Sequence, residues 1–357
     1  MAITAPQLLP ILWVPPPTAS MGVGTASWST HRGAGSIDQP AAFTMNVPWH
    51  RFEPLIGLTI AEAFAESGVV VNGTRRDFSA TAFGFDEFPM LSTNRMISMH
   101  PDRWHLTAED FEDCGWIVLR LDTSSENSWH DPDRLRHHAG DRLPEGYLER
   151  GEFNGFPEAP SIDALPAKFE QLSSLSPNAK KVLAIAPHRM DVELRAVLAL
   201  DVDAIILNLR GLKADPLAVA AAVSRARSWI QQTRPEVNLW IDAAMADADD
   251  LAKLRTLGAE AICVDTWVTE TLEAMTTEIQ VNKEWLIRSG MGSNQSATAL
   301  QLAREMLADT CKSSLARVYA RRPIPQSIAK PLAAADPRWA EALSLPHLTF
   351  IAGNRED

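Results

Sequence analysis

Two aspartates and one histidine follow apolar runs of the sequence, at positions where catalytic groups are common. Asp242 and Asp265 each end a short apolar run, and His188 comes soon after another. Two carboxylates can share a cation or hold a proton at a shifted pKa, and a histidine can act as a general acid or base. We therefore take Asp242, Asp265 and His188 as candidate catalytic residues.

Each of these residues also has a purely structural interpretation. An aspartate placed before a helix accepts hydrogen bonds from the first backbone N–H groups, so Asp242 and Asp265 could each cap the helix that follows. His188 could simply end its strand. The sequence leaves both interpretations open.

Basic residues are expected in loops at the same end of the fold. They are Arg210, Lys213, Arg75 and Arg76. Guanidinium groups bind carboxylates and phosphates through forked hydrogen bonds, so these side chains could hold an anionic ligand. Alternatively they neutralise the two aspartates and Glu126 in an internal salt-bridge network.

No metal site is predicted. The most metal-like segment, residues 130–138, contains three histidines and two aspartates, but their spacing matches no known site and fits a polar insertion. The cysteines are also too far apart for a metal motif. Cys114 and Cys263 are expected to be small buried hydrophobic residues.

Eight short apolar runs position these groups, and most are followed by a segment with helical spacing. Alternation of apolar strands with helices predicts a parallel sheet covered by helices. Eight such units close into a (β/α)8 TIM barrel, and an open doubly wound sheet is the next choice. The runs are Ala42–Asn46, Val69–Asn72, Met96–Met99, Trp116–Leu121, Val182–Ala186, Ala204–Asn208, Leu239–Asp242 and Ala261–Asp265.

Composition excludes several classes of protein. The chain has 357 residues, 46% of them hydrophobic, and a net charge of −12, which disfavours disorder and would repel a phosphate backbone. Nucleic acid is therefore not an expected partner. No apolar run approaches the length of a membrane span, and three cysteines form no closed disulfide framework, so we expect a cytoplasmic protein without membrane contact.

Three regions are predicted along the chain. Residues 1–40 form an extended arm rich in Pro, Gly and Ser, residues 41–280 form the barrel, and residues 281–357 form a helical extension. A polar insertion, Glu126–Gly155, interrupts the barrel. The tryptophans of the arm and its surroundings suit a homo-oligomer or a protein partner.

The order of these segments resembles the FMN-binding barrel domain of the glutamate synthase family. The likeness spans Phe43 to Leu272 and concerns layout more than chemical signatures. It is carried by Phe43–Gly73, by LTAEDFEDCGWIVLRL with RLPEGYLERGEFNG, by SIDALPAKFEQLSSLSPNAKKVLAIA, and by DVDAIILNLRGLKADPLAVA with VNLWIDAAMADADDLAKLRTLGAEAICVDTW. The resemblance implies a flavin oxidoreductase acting on a 2-oxo acid or an amino acid.

The sequence departs from the family at the residues that would bind the cofactor. By the resemblance, Arg210, Gly211, Ala243 and Ala244 occupy the cofactor-binding loops, which are glycine-rich in the family. Asp242 and the second aspartate, Asp265, stand beside the expected phosphate, where each like charge costs several kcal/mol. We therefore predict that no cofactor is bound, with FMN as the alternative if the ancestral site survives.

Three functions follow as hypotheses. The first is a pseudoenzyme that has lost flavin and binds a protein or a small anionic ligand. The second is an active FMN-dependent oxidoreductase of glutamate-synthase type. The third is a metal-dependent lyase or hydrolase that uses Asp242 and Asp265 on the same barrel.

Overall fold

The computed structural model describes residues 7–13, 40–52, 54–74, 77–78, 91, 93–99, 106–112, 114–121, 164–185, 190–212, 215–245, 247–274 and 332–347. The candidate residues His188, Lys213, Arg75, Arg76 and Glu126 lie outside this part. So do the segment 130–138 and the whole of the predicted insertion, Glu126–Gly155.

Ten strands are described. They are β1 (Ile11–Trp13), β2 (Ala42–Phe43), β3 (Val69–Asn72), β4 (Arg95–Met99), β5 (Trp116–Arg120), β6 (Lys180–Ile185), β7 (Ala204–Asn208), β8 (Asn238–Asp242), β9 (Ala261–Cys263) and β10 (Leu332–Ala334).

Seven helices accompany the strands, with a further helical segment at residues 265–274. They are α1 (Pro54–Glu66), α2 (Ala108–Phe111), α3 (Leu165–Leu175), α4 (Met190–Leu198), α5 (Pro216–Thr233), α6 (Ala248–Leu257) and α7 (Pro337–Leu343). Asp215 caps α5 by accepting the Ala218 N–H, and proline occupies the first helical position, where its missing N–H has no partner to lose.

Strands β2 to β9 form a closed parallel barrel in sequence order. The seam between the last and first strands pairs Phe43 with Cys263, and the Val264 N–H continues the pairing by donating to the Phe43 carbonyl. The predicted (β/α)8 barrel is confirmed. Each of its eight strands overlaps one of the eight apolar runs, with boundaries that differ by at most a few residues.

Two apolar cores follow from the alternation of side chains along the strands. In β5, Trp116 and Val118 belong to a cluster inside the barrel, whereas Ile117 and Leu119 belong to the layer between barrel and helices. Arg120 follows the parity of Trp116 and Val118, so its side chain faces the lumen.

A small antiparallel sheet lies outside the barrel, and the sequence did not predict it. β1 pairs with β10 from the other end of the chain, and Leu8 and Ile11 are fully buried against the remaining fold. The proposed boundaries of the arm and the helical extension stay predictions. None of the described helices is both long and apolar enough to cross a membrane.

Candidate functional site

The carboxyl ends of the last three barrel strands bring together an arginine and two aspartates. β7 ends at Asn208 and leads into a short 3-10 turn that begins at Arg210. Asp242 is the last residue of β8, and Asp265 begins the helical segment after β9. Because parallel strands all end at one rim, three loops of different sequence position meet at the mouth of the barrel.

Arg210 joins the two carboxylates. Its Nε lies 2.8 Å from Oδ1 and 2.7 Å from Oδ2 of Asp242, and its Nη2 donates to Oδ2 of Asp265. Its side chain is 24% exposed, whereas those of Asp242 and Asp265 are 1% and 7% exposed. Within the described part of the chain, Nη1 has no hydrogen-bond partner. The arginine is thus held at two nitrogens while the third is left for another acceptor.

Asp265 also reaches across the barrel seam. Its Oδ1 accepts the backbone N–H of Met45 at 2.6 Å, and its Oδ2 accepts the N–H of Asn46 at 3.0 Å. The Asn46 side-chain amide adds a longer contact of 3.4 Å to Oδ2. The carboxylate therefore replaces the backbone acceptors that β9 loses when the chain turns into the following helix.

A second arginine, which was not among the predicted site residues, lies in the same layer. Arg120, at the end of β5, is 1% exposed and donates Nη1 to Oδ1 of Asn46 at 3.4 Å. Its lumen-facing parity with Trp116 and Val118 was visible in the sequence. Among the described residues, the mouth therefore holds two buried carboxylates and two guanidinium groups, whose formal charges balance.

Burial and pairing shift the pKa values of this cluster in opposite senses. Burial lowers the pKa of Arg210, but the neighbouring Asp242 and Asp265 carboxylates outweigh it and hold the pKa above its usual range. Burial raises the pKa of Asp242, and the charges of Arg210 and Arg120 oppose that rise. Burial also raises the pKa of Cys263, which fits the expected inert thiol.

The residues assigned to cofactor binding lie around this cluster. Ala243 and Ala244 follow Asp242, and Ala244 has a φ of 51°, a left-handed conformation that glycine adopts more readily. Gly211 follows Arg210, and a methyl group added there would meet no atom within 4 Å. The backbone at Gly211 is therefore open to a ligand beside Arg210.

The helix-capping interpretation of Asp242 is wrong. The helix after it is capped by Asp247, whose Oδ1 accepts the N–H groups of Asp249 and Asp250 at 2.9 and 3.2 Å. Asp265 begins its helix, but its carboxylate accepts hydrogen bonds from Met45, Asn46 and Arg210. Both acids therefore belong to the ion-pair network that the sequence analysis offered as the alternative for Arg210.

The same acids bear on the metal hypothesis. Ligand atoms of Asp242, Cys263 and Asp265 all lie within 4.8 Å of one another, and all three residues are buried. However, Arg210 already donates to both carboxylates, and a cation bound there would have to displace it or sit beside its positive charge. These contacts do not favour a metal centre over the ion pair.

Comparisons with known proteins find matches among solved structures alone. No family model and no curated protein sequence matches the chain. Among solved structures, a double mutant of flavocytochrome b2 with pyruvate bound shares 12% identity, covering 90% of this chain and 75% of the other, with a TM-score of 0.46. Mandelate oxidase with benzoyl-formic acid shares 16% identity, covering 67% and 72% respectively, with a TM-score of 0.37. The narrower resemblance to the glutamate synthase family stays a prediction.

The prediction that the chain binds no cofactor is corrected. Its electrostatic premise fails, because Asp242 and Asp265 do not stand as isolated anions at the rim. In the part of the chain that the structure describes, Arg210 and Arg120 match their charges, so a phosphate approaching this cluster meets no excess of negative charge and an available N–H donor.

Proposed function

We propose that this chain is an FMN-dependent oxidoreductase on a (β/α)8 barrel, acting on a small 2-oxo acid or amino acid at the mouth formed by β7, β8 and β9. One observation carries the proposal. Arg210 is fixed at Nε and Nη2 by two buried carboxylates and keeps Nη1 for an anion. A guanidinium held in this way loses little rotational freedom when a ligand binds.

The residues at the rim suit the anionic end of a flavin nucleotide. The backbone of Ala243 and Ala244 follows β8, and the left-handed Ala244 turns its peptide group away from the path of a regular strand. The helical segment 265–274 begins at the next loop, and the first N–H groups of a helix have no partner within it. These two loops are the usual phosphate-binding position in barrels of this class.

FMN, when bound, would accept the two electrons and the hydrogen removed from a 2-hydroxy acid or an amino acid, and its reduced form would return them to a 2-oxo acid or imine. The chain's own contribution is orientation. Arg210 binds a carboxylate or phosphate oxygen, and Asp242 and Asp265 prevent its side chain from rotating away. Both Asp242 oxygens accept from Arg210, so we assign Asp242 a positioning role, and His188 stays the candidate for proton transfer.

The test begins with the purified full-length chain. We expect either a flavin absorbance band near 450 nm as isolated, or saturable quenching of flavin fluorescence when FMN is added. We then expect small 2-hydroxy acids or amino acids, added without oxygen, to bleach the band of the loaded protein. Pyruvate should compete with the substrate, because it is a small anion of the same class.

A matched pair of variants identifies the site. Arg210→Gln removes the donor, and we expect FMN or substrate affinity to fall by about tenfold or more, the value of a charge-assisted hydrogen bond. Arg225→Gln removes the same charge from an exposed position of α5 and should leave both affinities unchanged. If wild-type protein binds no FMN at micromolar concentration, the proposed function is wrong.

The other hypotheses stay predictions. The pseudoenzyme hypothesis depended on loss of the flavin site, and the charge balance at the mouth removes that reason. The metal-dependent hypothesis is not favoured, because Arg210 engages both carboxylates. A homo-oligomer or protein partner would use surfaces that no described contact identifies.

A further inference from the structure

Arg120 occupies an unusual place for a charged side chain. It begins at the end of β5 and reaches Asn46, which follows β2 on another side of the barrel. In the closed order of strands, β5 and β2 are separated by β3 and β4, so the side chain extends into the lumen. The apolar cluster of Trp116, Val118 and their neighbours lies further along the same lumen. Burying a guanidinium there is costly unless an opposite charge stabilises it.

Among the described residues, charged groups at three strand ends lie at the mouth that Arg120 enters. Asp242 of β8 and Asp265 after β9 carry the negative charges, Arg210 after β7 carries the other positive charge, and Cys263 contributes a neutral thiol. Within the described part of the chain, Arg210 alone would leave this buried group with one negative charge in excess. Arg120 adds a second positive charge, and it acts on Asp242 electrostatically.

We propose that Arg120 is a positioning residue that holds Asp242 as a carboxylate and thereby keeps the Arg210 guanidinium at the angle needed to bind an anion. It acts from below the rim, through Asp242 and through Asn46, which also contacts Asp265. The effect of Arg120 on anion binding depends on the proposed function. Its coupling to Asp242 does not.

The coupling is tested by a double-mutant cycle on the full-length chain. Arg120→Gln removes the charge but keeps a donor for Asn46, Arg120→Lys keeps the charge, and Asp242→Asn removes the partner. Unfolding constants are measured by denaturant titration at pH 5 and pH 8, with Arg225→Gln as the exposed control.

We expect Arg120→Gln to raise the unfolding constant at pH 8. In the Asp242→Asn background this increase should be about tenfold smaller, and in Arg120→Lys it should be largely absent. A purely structural role for Arg120 would cost the same with and without the Asp242 charge, and equal penalties in both backgrounds would overturn the proposal. If Arg120→Gln is not recovered folded, recovery of the folded double variant supports the coupling, and failure of the double variant to fold also overturns it.

The effect of Arg120 on ligand binding is measured with FMN as the probe. Arg120→Gln should weaken FMN affinity by about tenfold, because Arg210 loses its fixed partner, and Arg120→Lys should restore most of it. Equal FMN affinity in Arg120→Gln and wild type would refute the positioning role. If wild-type protein does not bind FMN, the proposed function fails, while the stability cycle still decides whether Arg120 and Asp242 are coupled.

Discussion

The carboxylate of Asp265 accepts the backbone N–H of Met45 at 2.6 Å and so joins the last strand of the barrel to the first. Backbone pairing across this seam is short, because β2 is two residues long and β9 is three. The same carboxylate holds Arg210, which belongs to the proposed ligand site. Closure of the barrel and orientation of the site therefore depend on one side chain.

This double role predicts that Asp265 contributes more to stability than Asp242. Asp265→Ala breaks a buried ion pair and leaves two backbone N–H groups without an acceptor, and we expect it to lower the free energy of unfolding by roughly 3–5 kcal/mol. Asp242→Ala breaks the pair with Arg210 but leaves the seam intact, so its loss should be smaller. Denaturant titration at pH 7 measures both, and a greater loss for Asp242→Ala would contradict the seam role.

The largely buried carboxyl of Glu260 is expected to make the stability of the protein depend on pH. Glu260 lies just before β9, where its Oε1 is 2.5 Å from Nη1 of Arg227 and its Oε2 accepts the Leu239 N–H at 2.6 Å. Burial, opposed by Arg227, raises the pKa of Glu260 from 4.5 to about 7. A carboxyl whose pKa is raised on folding stabilises the protein fully below pH 4.5, and this contribution is lost as the pH rises through 7.

We expect ionisation of Glu260 to lower the free energy of unfolding by about 3 kcal/mol at most between pH 4.5 and pH 8. Glu260→Gln keeps an acceptor for the Leu239 N–H but cannot ionise, so the pH dependence of its unfolding free energy should be flatter than that of wild type. Glu236→Gln serves as the control, because Glu236 pairs with Arg234 on the surface. Equal slopes for Glu260→Gln and wild type would exclude the assigned role.

Much of the fold could be predicted because the buried strands of a parallel barrel appear in the sequence as short apolar runs. Val69–Asn72 and Ala204–Asn208 were predicted with their observed bounds. The pairing of β1 with β10 could not be predicted, because three-residue strands from opposite ends of the chain carry no local signal for each other.

The candidate site was predicted in part, for a related reason. Asp242, Asp265 and Arg210 stand at strand ends, and strand ends of a barrel meet at one rim. Their electrostatic effect was misjudged, because the effect of a charge depends on its neighbours in space. Arg120 lies far from the acids in sequence, and its alternation with Trp116 was the available signal that it faces the same lumen.

The N-terminal segment is held by a second carboxylate, and this predicts a local opening. Asp250 of α6 accepts the N–H groups of Gln7 and Leu8 at 2.6 and 2.9 Å, and Lys253 donates to the Leu8 carbonyl at 3.0 Å. We expect Asp250→Asn to increase hydrogen exchange of these amides by roughly tenfold or more, because one of the two acceptor oxygens becomes an NH2 donor and the other loses its charge.

The control for this prediction lies one residue away on the same helix. Asp249 pairs with Lys253 at 2.9 Å, and its side chain is more exposed than that of Asp250. Asp249→Asn should leave exchange of Gln7 and Leu8 within a factor of about three of wild type. Similar acceleration in both variants would mean that net charge on α6, and not the Asp250 hydrogen bonds, holds the segment.

The backbone of Ala244 gives a prediction of the opposite sign, a stabilising substitution in the proposed phosphate loop. Its φ of 51° places a β-carbon in the left-handed region, where a residue other than glycine is strained by roughly 1–2 kcal/mol. Ala244→Gly removes that strain at some cost in chain entropy, so we expect a net gain of about 0.5–1 kcal/mol in the free energy of unfolding. Ala243→Gly, one residue earlier at a buried position without a positive φ, should instead destabilise the protein by a similar amount. Denaturant titration of the two variants decides the matter, because a loss of stability in both would show that Ala244 carries no conformational strain.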